Sequence, residues 1–348
     1  MKEDQITSKN QFSWPLVGNE HIKKFLEKSI LNKKLSHAYI FMGPQDLGKN
    51  TLAHYFAQIL LCNASEEKPC GVCRTCQEFL SRVFGIKKID RKNNNIVHPD
   101  YCLIKKEIDK KNISIAQIRT LINKLSLTSF RNSYKIGIIK DADLLSQEAA
   151  NALLKTLEEP PQNVILILLV NHVDSLPQTI LSRSQILNFY PVSQDLIYKY
   201  LIDEYQVSPV EARRITHLSL GRSALAKKFL ENEDFLKDFL NRAKIFTEFF
   251  FDSLNDRLEK VSVLLNNKLS GQELVDQVNE ILDIWQIASR DLMLVATDQN
   301  HLRTLIDFKF NISNLDFLKI SKNFAQSRRY LQANVNPRSV LEEFVVNL

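Results

Sequence analysis

The run Val164–Val170 (VILILLV) constrains the fold more than any other segment of this chain. Its seven apolar residues are far short of the ~20 needed to span a bilayer. A strand with one wet face would alternate polar and apolar residues, and this one does not. The run predicts an interior strand covered by helices on both faces, as in a parallel sheet. Ala38–Met42 (AYIFM) and Lys135–Ile139 (KIGII) read as two more buried strands. Helical stripes lie between them. Leu52, Tyr55, Phe56, Ile59 and Leu60 share one side of Thr51–Cys62, and Ile115, Ile118, Leu121, Ile122 and Leu125 recur along Ile113–Leu125. Ser114 and Gln117 have capping-box spacing, and Ser146 predicts the start of a helix that stops before Pro160–Pro161.

This α/β pattern is expected to fill residues 1–191. Strand signals vanish after about Val192, and helical patterns such as Leu196–Tyr205, Pro209–Leu218 and Ala224–Phe229 continue to Leu348. Ser208-Pro209 reads as a helix N-cap followed by the first helical position. Residues 192–242 are expected to form a small helical domain, and 243–348 a second one. With 44% apolar residues, 8 Gly and 10 Pro in 348, the chain is neither collagen-like nor linker-rich. The net charge of +6 permits a nucleic-acid or acidic-protein partner without requiring one. The polar start MKEDQITSKNQFSWP has no apolar core of a signal peptide, so a cytoplasmic location is expected.

Between the first strand and its helix lies Gly43-Pro-Gln-Asp-Leu-Gly48-Lys49, which fits G-x-x-x-x-G-K. Such a loop wraps a phosphate with backbone N–H groups, and its lysine reaches the outer oxygens. The next residue is Asn50, where a Mg²⁺ site wants Ser or Thr. Thr51 is one helical step on, turned by about 100° off the phosphate face. A P-loop ATPase also ends a buried strand in a metal-binding acid. Here the strand ends in Lys140-Asp141-Ala142-Asp143, and neither register gives an adjacent acidic pair. A lysine in the acid's place would repel the divalent metal by about 8 kcal/mol at ~4 Å and an effective dielectric of ~20. The loop geometry is kept, while nucleotide binding and hydrolysis both stay open.

Cys70, Cys73 and Cys76 follow Cys62 by eight residues or more. Four thiolates close a tetrahedral structural Zn²⁺ site with no open position for hydrolysis. A redox pair and buried free thiols are the alternatives. Cys102, after His98-Pro99-Asp100-Tyr101, reads as a core thiol. The basic, Asn-rich stretch Phe84–Val97, with Lys87–Lys92, reads as a surface loop. Zinc knuckles also bind nucleic acid, which keeps that function open.

Together these residues resemble the AAA+ clamp-loader subunits of bacterial DNA polymerase III, from Leu16-Val17-Gly18 to Asn334–Arg338. The most specific stretch is Ala149–Pro161 (AANALLKTLEEPP). Leu176–Ser184 (LPQTILSRS) resembles the family's Ser-Arg-Cys motif with Ser184 in the last place, and Leu218–Leu225 (LSLGRSAL) resembles its second-sensor helix start. The resemblance implies a P-loop AAA+ domain with an inserted zinc knuckle (62–76), a helical lid and an all-α collar. It implies a hetero-oligomeric ring with motor gamma/tau and delta-like subunits that loads a sliding clamp onto primed DNA. Asn50 and Lys140-Asp141 depart from the motor subunits and imply the fixed, non-motor member, without intrinsic ATPase activity. Arg183 would then be an arginine finger acting in trans. Gly43, Gly48, Lys49, Asn50, Thr51 and Arg222 would form a degenerate nucleotide site, and Asn171 falls near the first-sensor position. An ATP-hydrolysing motor with a variant P-loop and a zinc-knuckle nucleic-acid-binding module are the competing readings.

Overall fold

The computed structural model describes residues 12–64, 67–83, 98–107, 110–127, 129, 134–171, 176–265, 269, 271–297 and 315–348. The basic stretch Phe84–Val97 lies outside them. The chain forms two compact units, residues 1–196 with 222–224 and residues 197–221 with 225–348.

In the first unit the order is α1 (Glu20–Leu31), β1 (Ala38–Met42), α2 (Lys49–Leu61), α3 (Arg74–Glu78), β2 (Tyr101–Ile104), α4 (Ile115–Ser126), β3 (Lys135–Ile139), α5 (Gln147–Glu158), β4 (Val164–Val170), α6 (Gln178–Leu181) and β5 (Gln185–Asn188). The strands form one parallel sheet in the order β2-β3-β4-β1-β5. The seven-residue apolar run is its central strand, with Leu168 paired to Ile40 and Ile167 to Ile138, and all seven residues are buried. Its side chains alternate between two cores. Ile165, Ile167 and Leu169 join Tyr39, Phe41, Ile136 and Ile138 beneath α1 and α2. Leu166 and Leu168 join Ala38, Ile40 and Ile139 beneath α4, α5 and α6. Each face supplies its own apolar layer, so no residue of the run is left for water.

Helix starts follow the expected local chemistry. Ser114 and Gln117 form both arms of a capping box, and the Ser146 hydroxyl accepts the Ala149 N–H at 3.2 Å. The sequence patterns leave out α1, α3, α6 and β5. In β5 only Leu187 is buried, because the strand lies at the sheet edge and pairs with β1 alone. Its four residues therefore carry no alternation to detect.

One buried polar pair under this sheet makes stability depend on pH. His54 of α2 is buried, and its Nδ1 lies 2.7 Å from the Tyr101 hydroxyl of β2. Burial pushes the imidazole from 6.5 down to about 4, and the charge of Lys140 adds to this. The folded state therefore resists protonation that the unfolded chain accepts. This contribution is complete above pH ~6.5 and is lost as pH falls toward ~4. Wild type should lose about 3 kcal/mol more than a His54→Phe variant between pH 7 and pH 4. Urea denaturation at both pH values measures it, and equal losses would refute it.

The second unit is built from α7 (Gln194–Tyr205) beyond its first three residues, α8 (Pro209–Ser219), α9 (Ser223–Glu231) beyond its first two residues, α10 (Glu233–Glu248), α11 (Leu254–Leu264), α12 (Gly271–Ala296), α13 (Phe317–Gln332) and α14 (Pro337–Val346). Ser208 caps α8, with Pro209 at its first position, as the pair predicts. Trp285 of α12 is fully buried and lies 5.2–5.7 Å, ring to ring, from Phe246, Phe249 and Phe344. Its indole N–H donates to the Arg242 carbonyl at 3.1 Å, which satisfies the only polar atom of the ring. Helix α10 runs unbroken across residues 242–243, where the sequence suggests a boundary. Among the described residues, no helix is long and apolar enough to cross a membrane.

Candidate functional site

The loop between β1 and α2 takes its shape from two glycines. Gly43 has φ +146°, and a Cβ there would stand 2.4 Å from the Phe189 carbonyl oxygen. Gly48, the N-cap of α2, has φ +89°, and a Cβ would stand 2.8 Å from Leu16 Cδ1. Both glycines are required by backbone geometry and close approach, whatever the loop binds. Gly43→Ala should destabilise the first unit by about 1–3 kcal/mol, because the obstacle is backbone. Thermal unfolding tests this, and an unchanged midpoint would contradict it.

Lys49 begins α2 and is only 8% exposed. Its ammonium donates to the carbonyls of Gly43 and Pro44, the latter at 2.7 Å, and to Asn171 Oδ1 at 3.2 Å. Burial lowers its pKa to about 8, against the opposing charges of Asp143, Asp141 and Asp46. The group therefore stays mostly protonated at neutral pH. Asn171, at the end of β4, donates its backbone N–H and its Nδ2 to Asp143, at 3.2 and 3.3 Å. Asn50 is exposed and Thr51 half-buried.

Lys140 is exposed directly after β3. Asp141 follows in a left-handed conformation, half-buried, and burial holds its carboxyl above the usual range. A single 3-10 turn, Ala142–Leu144, then brings Asp143 to Asn171. Asp143 is the functional candidate that the motif reading passes over. Its signal is the i, i+2 pair of acids across a tight turn, which a search for adjacent acids does not register. Ala224, which belongs to the same compact unit as the loop, donates its N–H to the Asp46 carbonyl at 3.0 Å. That places Arg222, two residues earlier and half-buried, in the same compact unit as the loop.

Arg183 lies two residues beyond α6 and is 37% exposed. Its guanidinium donates to the Thr179 carbonyl at 3.1 Å and the Ser182 hydroxyl at 3.2 Å, and pairs with Glu158 at 3.1 Å. Glu158 is the last residue of α5 and belongs to the AANALLKTLEEPP stretch. Two motifs quoted separately from the sequence thus meet at one ion pair. Ser184 turns inward and donates to the Ile180 carbonyl at 2.9 Å, so the residue in the cysteine's place is held by a backbone bond.

The sulfur atoms of Cys62, Cys70, Cys73 and Cys76 all lie within 4.8 Å of one another. Cys62 Sγ is 3.6 Å from Cys70 Sγ and 4.0 Å from Cys73 Sγ. A tetrahedral zinc with Zn–S bonds of about 2.3 Å requires S···S edges of about 3.8 Å. The Cys70, Cys73 and Cys76 backbone N–H groups donate to Cys62, Cys70 and Cys73 sulfurs at 3.4–3.5 Å, in the order of the chain. Such donors favour thiolate, and they draw the Cys70 thiol down to about 6. Burial drives the Cys62 and Cys76 thiols the other way. A divalent metal between the four sulfurs would hold them as thiolates against that burial, so the donor set fits one. Cys102 stands apart in β2, half-buried against the core beneath α4.

The chain is similar to several DNA polymerase III subunits. The chain is 34% identical over 224 residues to DNA polymerase III subunit delta' of Bacillus subtilis, covering 64% of this chain and 62% of that one. It is 35% identical over 184 residues to DNA polymerase III subunit tau of the same organism, covering 52% of this chain and 30% of tau. Subunit delta' of Haemophilus influenzae is 30% identical over 213 residues, covering 60% of each chain. The matched region therefore spans less than two thirds of each of these relatives. A family model described as "DNA polymerase III, delta subunit" matches residues 18–193, from the left-handed Gly18 to just past β5. With just over half of the chain inside that match, this protein belongs to the DNA polymerase III delta-subunit family.

Proposed function

We propose that this chain is a non-motor subunit of a DNA polymerase III clamp loader, of the delta' kind. Its role is to support the ATP-driven placement of a sliding clamp on primed DNA. The first turn of α2 carries this reading: exposed Asn50, and no hydroxyl, follows Lys49. The end of β3 agrees, because exposed Lys140 stands where a metal-binding acid is expected. Arg183 serves as the arginine finger, completing the ATP site of a neighbouring motor subunit. Residues 62–76 hold a structural zinc through four thiolates, which supplies cross-linking and no chemistry. Residues 192–242 act as the lid and 243–348 as the assembly collar. The partners are tau/gamma-type motor and delta-type subunits, and through them the clamp and DNA, in the cytoplasm.

The test is reconstitution. The chain is mixed with tau-type and delta-type subunits and the clamp from its own cell. A stable complex should form, and clamp loading should require this chain. Elution of the chain alone, or loading that is indifferent to its omission, would reject the proposal.

A further inference from the structure

A lysine ammonium has three protons to donate. At Lys49 the structure supplies three protein acceptors: the Gly43 and Pro44 carbonyls of the loop itself, and Asn171 Oδ1. The amide of Asn171 cannot turn freely. Asp143 receives both its backbone N–H and its Nδ2, which leaves Oδ1 directed at the lysine. The contacts tie together the end of β4, the turn after β3 and the start of α2. A polyphosphate entering the loop would compete with all of this. It would have to take the ammonium from its three acceptors. It would also bring negative charge toward Asp141, Asp143 and Asp46, the carboxylates that favour charged Lys49.

We propose that Asp143, Asn171 and Lys49 form a built-in latch that holds the phosphate loop closed on itself and disfavours nucleoside triphosphate. The latch deepens the non-motor reading and rests on it for its biological sense. It reverses the role expected of an asparagine that reads a bound phosphate. Removing a phosphate-contacting asparagine weakens nucleotide binding, whereas removing a latch strengthens it.

The experiment compares full-length wild type with Asn171→Ala. ATP with Mg²⁺ is titrated calorimetrically, and acylation of Lys49 by a soluble amine reagent is followed by mass spectrometry. Asn171→Ala should bind ATP about tenfold more tightly, the effect of releasing one charge-assisted hydrogen bond. Lys49 should also be acylated several-fold faster. Asp143→Ala frees the Asn171 amide and also removes one of the carboxylates that favour charged Lys49, so it should move both readouts the same way and further. It serves as the test if Asn171→Ala does not fold. Weaker or unchanged ATP affinity, including no binding by any variant, overturns the latch, and so does unchanged acylation. Mg²⁺-dependent ATP turnover by the wild-type chain would instead overturn the non-motor reading, and the affinity comparison would still decide the latch.

Discussion

An Arg183→Ala chain, assembled into the ring, should lower ATP turnover at the one site that it completes by roughly 10³–10⁵-fold. Clamp loading should fall with it, while sites completed by other subunits keep their rate. The reason is electrostatic. A guanidinium placed against charge developing on the transferred phosphoryl group acts where water is excluded. Arg183→Lys should recover only part of the activity, because an ammonium keeps the charge but loses the planar fork of donors. A purely local role for Arg183 makes a different prediction. Its bonds to Thr179, Ser182 and Glu158 are all solvent-exposed, and exposed pairs of this kind contribute about 0–1 kcal/mol. Arg183→Ala should therefore barely move the unfolding midpoint of the isolated chain. A clear loss of stability with unchanged ring turnover and loading would make Arg183 a cap on α6 and no finger.

The second large effect concerns the four thiols. Purified protein should contain about one zinc per chain, and Cys76→Ser should reduce that to near zero. Cys76 is fully buried, so the variant leaves a polar hydroxyl among three thiols. Apparent zinc-binding free energies in structural sites reach about 10–16 kcal/mol, and this energy is folding energy for the segment that supplies the ligands. Chelation should therefore release residues 67–83 to rapid hydrogen exchange before the sheet is affected. Phe79 marks the limit of this release. It is buried, and its ring lies 5.1 Å from Tyr101 of β2, so loosening the segment should reach the sheet edge through that contact. Cys102→Ser is the control and should retain its zinc. Full metal content in Cys76→Ser would exclude a four-thiolate site.

The parts legible in sequence are those in which one short segment contains its own reason. Val164–Val170 reads as the central strand because burial on both faces removes every polar residue from it. Ser114 and Gln117 read as a helix start because both arms of the bond lie three residues apart. The thiols read as a site because three of them fall within seven residues. The edge strand β5 did not read, since pairing along one side demands little of its side chains. Nor did the strand order. β1 lies between β4 and β5, both more than a hundred residues away in sequence, and no local pattern encodes which strand a crossover passes.

The loop between β1 and α2 divides along the same line. Sequence alone determined that Gly43, Gly48 and Lys49 fit G-x-x-x-x-G-K with glycines at the turn, and that Asn50 and no hydroxyl follows Lys49. Backbone conformation and residue chemistry are local properties, and they are written where they act. Only the tertiary structure decided where the lysine's protons go. Asn171 stands 122 residues from Lys49 and Asp143 stands 28 from Asn171, and they meet because parallel strands end side by side at one edge of the sheet. Arg183 and Glu158 meet for a similar reason, as the ends of two packed helices. Hydrogen bonds and ion pairs act over a few ångströms, so distance in space sets them, and the fold sets that distance.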